Sequence, residues 1–278
     1  MVRIRSLEAT DIAGADEVLR EAFHTEHSFA PRLHRYLAIQ PDGWLVAQEA
    51  GEFVGMVGAI DYGSFAYVGM MGVRPDRQGH GVGRRLLGTL LDWLEGRGVP
   101  CARLEATEQG RHLYQRMGFV DAGVCHELHL PASATAAPRP PSVEVAAAPG
   151  QVVSLDAHFF GTERPRLWKW LFAAEPGRTL VAREGADPAG YLCVQEDVLG
   201  PWGARTPAVA EALLEAALPF VRSPHTRAMV PEQNEGACAL LEARGWTLAK
   251  SVPHMRRGPG AAPPGWRALY GKGSYCLG

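Results

Sequence analysis

One series of short patterns runs through this chain twice, in the same order. Pro31-Arg32-Leu33-His34-Arg35-Tyr36-Leu37 is answered by Pro165-Arg166-Leu167-Trp168-Lys169-Trp170-Leu171, an offset of 134. Leu45-Val46-Ala47 returns as Leu180-Val181-Ala182 and Gly55 as Gly190, both at 135. Val82, Leu86, Leu87, Leu91 and Leu94 fall on Val209, Leu213, Leu214, Leu218 and Val221, and Leu113 to Phe119 falls on Leu240 to Trp246, both at 127. The order is kept and the offset changes once, so the second half has lost residues between Gly190 and Val209. Two similar domains are the simplest fold for such a pattern, and 278 residues is enough chain for both. Between the halves lies PASATAAPRPPSVEVAAAP, where Pro138-Arg139-Pro140-Pro141 can neither continue a helix nor pair in a central strand. The expected division is a first domain over 1–131, a linker over 132–149 and a second domain over 150–278.

In the first half, Arg3 to Leu7 reads as a strand, and Thr10 or Asp11 can cap a helix running to about Phe23. Pro31 opens a second, short helix. Trp44 to Gln48, Phe53 to Asp61 and Phe65 to Val73 are apolar strands. A helix follows a glycine-rich loop, with Val82, Leu86, Leu87, Leu90, Leu91 and Leu94 on one face and Gly96 and Gly98 at its end. Cys101 to Ala106 is a strand and Gln109 to Met117 a helix stopped by Gly118. Two strands, Phe119 to Asp121 and Val124 to Leu130, complete the half. This is an α/β class, a mixed sheet layered with helices.

The loop Arg74-Pro75-Asp76-Arg77-Gln78-Gly79-His80-Gly81-Val82-Gly83 carries the chemistry. A strand, a glycine-rich turn and a helix N-terminus form an anion site. The first helical turn leaves N–H groups unpaired, and the helix dipole adds partial positive charge. Glycines at 79, 81 and 83 let the backbone approach a phosphate, and Arg77, Arg84 and Arg85 add charge. A phosphate-bearing ligand follows from this alone. The spacing is not the dinucleotide pattern G-x-G-x-x-G, and no G-x-x-x-x-G-K-[ST] is present.

Gln78-Gly79-His80-Gly81-Val82-Gly83 fits Q/R-x-x-G-x-G/A, and with it residues 1 to 130 resemble the GNAT superfamily of N-acetyltransferases. The resemblance implies two tandem GNAT-like domains and acetyl-CoA as cosubstrate. It implies that Gln78, Gly79, His80, Gly81, Val82, Gly83 and Arg84 hold the pyrophosphate, and that Met71, Gly72 and Val73 pair their backbone with the pantetheine arm. Leu113-Tyr114-Gln115-Arg116-Met117-Gly118-Phe119 resembles a second family element, which implies Tyr114 as the acid that protonates the leaving thiolate. A phenol can donate to a developing thiolate. Thr107 stands where the family often has Asn at the start of this helix, which puts one coenzyme contact in doubt.

A general base would deprotonate an ammonium acceptor. The candidates are Glu105 first, by its position on the strand beside the site, then Asp61 and Glu26. His24-Thr25-Glu26-His27 is not H-E-x-x-H, and no metal site is expected. In the second half Gln78 maps to Arg205, His80 to Pro207, Gly81 to Ala208, Gly83 to Ala210 and Tyr114 to Leu241. That half is expected not to bind acetyl-CoA. Its role stays open between shaping an acceptor pocket, binding a second ligand and stabilising the first half. Asp156 and Arg164 either pair with each other or contact a ligand.

The formal net charge of −2, with acids and bases mixed, gives no support for nucleic acid or an anionic membrane as partner. No apolar run is long enough to span a bilayer, and Met1 to Arg5 lacks the apolar core of a signal peptide, so a cytoplasmic protein is expected. Its five cysteines form neither a zinc-type pair nor a disulfide framework. The expected activity is direct acetyl transfer to a small-molecule or peptide amine by a monomer or homodimer. The rival readings are a non-catalytic acyl-CoA-binding or ligand-sensing module and a structural protein without a cofactor. Retention of both the loop and Tyr114 favours the enzyme.

Overall fold

A computed structural model describes residues 1–130 and 140–278. Pro138 and Arg139 of the proline run lie outside the described residues. The chain divides into two compact units. The first is Met1–Val120 with Met255–Gly260, and the second is Asp121–His254 with Ala261–Gly278.

The first unit runs β1 (Arg3–Ser6), α1 (Ile12–Ala22), α2 (Ala30–Ile39), β2 (Trp44–Glu49), β3 (Glu52–Asp61), β4 (Ala66–Val73), α3 (Val82–Gly96), β5 (Ala102–Glu105) and α4 (Glu108–Arg116), and ends at the first residue of β6 (Val120–His129). The sheet order is β1-β2-β3-β4-β5, antiparallel except for the parallel pair β4 and β5. The periodic face of α3 buries Val82, Leu86, Leu87, Leu90, Leu91 and Leu94 against sheet residues that include Ala66, Val68, Ala102 and Leu104. Each such aliphatic side chain gains about 1.5–3 kcal/mol on leaving water. That fixes a 15-residue helix that would be marginal alone. Asp16 on α1 accepts from the N–H of Phe29 and of Ala30, so one helix caps the next.

The second unit repeats the order: β7 (Val143–Val145), α5 (Gly150–Phe160), α6 (Pro165–Ala174), β8 (Thr179–Glu184), β9 (Asp187–Val194), β10 (Leu199–Ala204), α7 (Pro207–Ala217), β11 (Arg227–Pro231), α8 (Glu235–Glu242) and β12 (Thr247–Arg257), followed by β13 (Leu269–Gly271). One sheet runs β13-β10-β9-β8-β7, and β11 pairs with β6, whose other neighbour is β12. Equivalent glycines show how closely the two units agree. A Cβ on Gly55 would meet Leu86, the Gly72 carbonyl and Val82, and one on Gly190 would meet Val209, the Gly203 carbonyl and Leu213. Both allow a helix to approach a strand pair closely.

Three expectations meet a different arrangement. The pair of strands expected after Phe119 is one strand, β6, because Gly123 continues the strand at φ 123°. A Cβ there would lie 2.4 Å from Glu232 Oε1, so a larger residue would have to displace that side chain. Part of the stretch read as linker is a strand: Val143, Glu144 and Val145 pair with Ala182, Val181 and Leu180. The last residues of β12, Met255–Arg257, count with the first unit although they lie far down the chain. Among the described residues no helix is long and apolar enough to cross a membrane. No disulfide joins the five cysteines, and four of them are buried.

Candidate active site

β4 is the strand that makes the site. It pairs with β3 along its length, but the register passes from Gly58↔Gly69 to Met56↔Gly72, so β4 holds one extra residue. Met70 absorbs the bulge at φ 52°, a value uncommon outside glycine. On its other side β4 pairs with β5 only at Ala66↔Ala102 and Tyr67↔Arg103. The ladder stops there. The backbone of Val68–Val73 on that side faces a gap between two parting parallel strands. Met71, Gly72 and Val73 therefore lie on an edge able to bond an extended, amide-bearing chain.

The loop after β4 is tied down by Gln78. Its Nε2 donates to the Val73 carbonyl (3.0 Å) and its Oε1 accepts from Gln109 Nε2 (2.9 Å). His80 Nδ1 lies 2.8 Å from the Gln78 carbonyl. Gly79 and Gly81 sit at φ 77° and 81°, and a Cβ on either would meet nothing within 4 Å. Backbone angle, not space, requires glycine at these two positions. Gly81 is the N-cap of α3 and brings no side-chain acceptor. The first helical bond runs from Arg85 N–H to the Gly81 carbonyl (3.1 Å), so the N–H groups of Val82, Gly83 and Arg84 stand outside the ladder. Gly83 answers to space instead: its Cβ would approach Met71 Cε at 3.0 Å and Leu113 Cδ2 at 3.3 Å. Arg84 is exposed. Arg77 contributes less charge than the sequence suggests, because it pairs with Glu49 (3.4 Å) and Asp76 (3.2 Å).

Thr107, at the position that departs from the family pattern, caps α4 by accepting from Gly110 N–H (3.1 Å). Asn234 does the same for α8 through Ala237 N–H (3.1 Å). Tyr114 on α4 is buried in the core that α3 shares with the sheet, its ring edge-on to Phe119 at 5.7 Å. Glu105 ends β5, and its Oε1 accepts from Tyr67 Oη at 2.8 Å. Register and alternation put Tyr67, Arg103 and Glu105 on the sheet face opposite the α3 core. Tyr114 and Glu105 thus lie on opposite faces of the sheet. The other two carboxylate candidates are engaged or remote. Asp61 pairs with Arg97 Nε (2.8 Å), while Glu26 pairs with Arg20 (2.5 Å) on a side chain 97% exposed. The bulge at Met70 and the phenol of Tyr67 carry no motif; only the glycines at 69 and 72 hint that the strand is irregular there.

The corresponding region of the second unit is closed. Arg205 and Thr206 alone connect β10 to α7. Pro207 has no N–H, and Thr206 takes up that of Val209 (3.3 Å). Leu241 is fully buried. Along β10, β13 pairs antiparallel at Trp202↔Gly271 and Gly203↔Leu269. Lys272 N–H then donates to the Met229 carbonyl of β11 at 2.8 Å. The chain itself fills the position that stays open between β4 and β5.

Asp156 and Arg164 pair with each other. Arg164 donates through Nε (2.8 Å) and Nη2 (2.6 Å), and both side chains are wholly buried. Trp168 Nε1 (2.8 Å) and the Tyr191 hydroxyl also donate to Asp156. Burial and the neighbouring Asp156 hold the Tyr191 phenol well above its ordinary pKa. Arg164 Nη1 binds the carbonyls of Leu277 and Gly278, each at 3.1 Å. The pair anchors the segment that follows β13.

Comparison with known proteins agrees with this fold. Residues 12–119 match the family described as "Acetyltransferase (GNAT) family", and residues 152–271 one described as "Acetyltransferase (GNAT) domain". The chain is 37% identical over 87 residues to mycothiol acetyltransferase of Streptomyces coelicolor, 29% of this chain and 28% of that one, so the match spans under a third of that relative. It is 31% identical over 128 residues to the N-alpha-acetyltransferase RimI of Mycobacterium tuberculosis, 44% of this chain and 81% of that one. Among solved structures, a Pyrococcus horikoshii protein provisionally classed as an acetyltransferase superposes with TM-score 0.89 and 27% identity, covering 100% of this chain and 96% of that chain. A GCN5-related N-acetyltransferase from Sphaerobacter thermophilus shares the fold, with TM-score 0.70 and 15% identity over 93% of this chain and 96% of that chain.

Proposed function

Since the chain belongs to the GNAT acetyltransferase family, with one such domain in each half, we propose that it transfers an acetyl group from acetyl-CoA to an amine, working from the first unit. One observation carries this reading: a bulged strand edge at Met71–Val73 runs straight into a left-handed glycine turn and an uncapped helix start. An edge that bonds amides, leading to a site that bonds phosphates, is the shape of a pantetheine arm joined to a pyrophosphate. The second unit offers neither feature, since β13 covers its edge and Thr206 caps its helix. Acetyl-CoA therefore has one site per chain.

In this mechanism Met71, Gly72 and Val73 orient the pantetheine amides, and the turn Gln78–Arg84 binds the pyrophosphate. The amine, made neutral by proton loss to Glu105, attacks the thioester carbonyl. A new C–N bond forms, the C–S bond breaks with its electron pair leaving on sulfur, and the nitrogen sheds its remaining extra proton to water as it becomes an amide. Tyr114, from the other face of the sheet, delivers a proton to that thiolate and regains one from water. Holding donor and acceptor in one gap lowers the entropic part of the barrier. The acceptor is a small-molecule or peptide amine, and both classes are represented in the names of the relatives.

A screen of primary amines and amino-terminal peptides with acetyl-CoA, reading released thiol, tests the reading. Amine-dependent thiol release that Glu105→Gln and Tyr114→Phe each lower by about 10²-fold or more is the expected result. Acetyl-CoA binding without turnover on any amine would favour a sensor, and no binding would remove the reading altogether.

A further inference from the structure

The geometry points to Tyr67 as a positioning residue of this site: its phenol holds the Glu105 carboxylate at the point where β4 and β5 part. The inference rests on the acetyl-transfer reading above. Tyr67 occupies the last rung of the β4–β5 ladder, opposite Arg103, and Glu105 lies two residues further along β5 on the same face. Tyr67 is fully buried, and Glu105 is partly so with its Oε2 out of contact with solvent, so the phenol is the fixed member of the pair and holds the carboxylate from one side. Their contact is 2.8 Å, an ordinary O–H···O hydrogen-bond length. Arg103 shares the face, and its guanidinium lies over the Phe65 ring at 5.3 Å.

Two consequences separate this from a tyrosine that only packs. A donor aimed at one carboxylate oxygen stabilises the ionised form, so Glu105 stays ready to take a proton. It also restricts rotation of the carboxylate at the end of a four-residue strand, where the next ladder rung is missing. Phenylalanine would fill the same volume and do neither.

The test needs no knowledge of the acceptor. In protein with 13C-labelled glutamate side chains, the carboxyl resonance absent from Glu105→Gln belongs to Glu105. Its titration midpoint is followed in wild type and in Tyr67→Phe, and acetyl-CoA is titrated into each. We expect Tyr67→Phe to melt cooperatively a few degrees below wild type, to keep the wild-type acetyl-CoA affinity, and to raise the Glu105 midpoint by about one pH unit. With an acceptor in hand, the acid limb of kcat/KM moves up by the same amount, kcat falls, and the KM for acetyl-CoA holds. An unmoved midpoint overturns the inference and leaves the acetyltransferase reading standing. A wild type that does not bind acetyl-CoA overturns both, whatever the midpoint does.

Discussion

At the scale of single residues, three glycines close together do two different jobs. Gly79 and Gly81 serve the backbone angle, and Gly83 serves the packing of α3 on β4 and α4. The difference predicts unequal responses to one added methyl. Gly81→Ala forces an alanine to φ 81° and should cost roughly 1–2 kcal/mol in urea unfolding. Gly83→Ala should fall within about 0.5 kcal/mol of wild type, because better helix propensity offsets the crowding of the flexible Met71 methyl. Equal losses at both positions would contradict this account. Positive φ and a helix start leave marks in a sequence, so the turn was legible there. The partner of Asp156 was not, because its choice depends on how α5 meets α6. The bulge at Met70 was not legible either, since it exists only in the register between two strands. Where Thr107 replaces Asn, the sequence left a coenzyme contact in doubt; the structure shows a helix cap there in both halves.

At the scale of elements, the sequence reads the helices well and the last strands poorly. α3 shows its buried face as a leucine period, whereas β6 hides its continuity behind Gly123 and β13 gives no sign of where it pairs. β6 also buries a carboxylate that no motif marks. Glu127 accepts from Tyr275 Oη (2.6 Å) and lies 2.8 Å from His129 Nε2, with Lys250 Nζ at 3.7 Å and Arg227 Nη1 at 3.8 Å. Burial works against its ionisation, but the hydrogen bonds from Tyr275 and His129 and the two cations prevail and hold its carboxyl below the ordinary value. A carboxyl depressed in the folded state adds stability above its unfolded pKa of about 4.3, and that stability is lost as pH falls through the folded value. Glu127→Gln should therefore cost about 1–3 kcal/mol at pH 7 and flatten the loss of stability below about pH 4.5. Urea unfolding at pH 7 and at pH 3.5 checks it. Parallel pH profiles for wild type and variant would show that Glu127 is not the group responsible.

At the scale of the whole molecule, the same order of elements is put to two uses. In the first unit the parallel strands part after one short ladder and leave an edge beside an uncapped helix start. In the second, β13 and Lys272 occupy that position and a threonine caps the helix. The sequence showed the duplication and the loss of the second loop, because both are local. It could not show that residues 269–272 close the second unit, or that Met255–Gly260 belong with the first, because both are contacts between distant parts of the chain. The most direct test of one open site beside one closed site is calorimetric titration of acetyl-CoA into wild type, Gly81→Pro and Tyr114→Phe, with a thermal melt on each. Proline fixes φ near −65°, far from the 81° that Gly81 adopts. The account predicts one site per chain in wild type, loss of binding in a folded Gly81→Pro, and retained binding in Tyr114→Phe. Two sites in wild type, or unchanged affinity in Gly81→Pro, would contradict it.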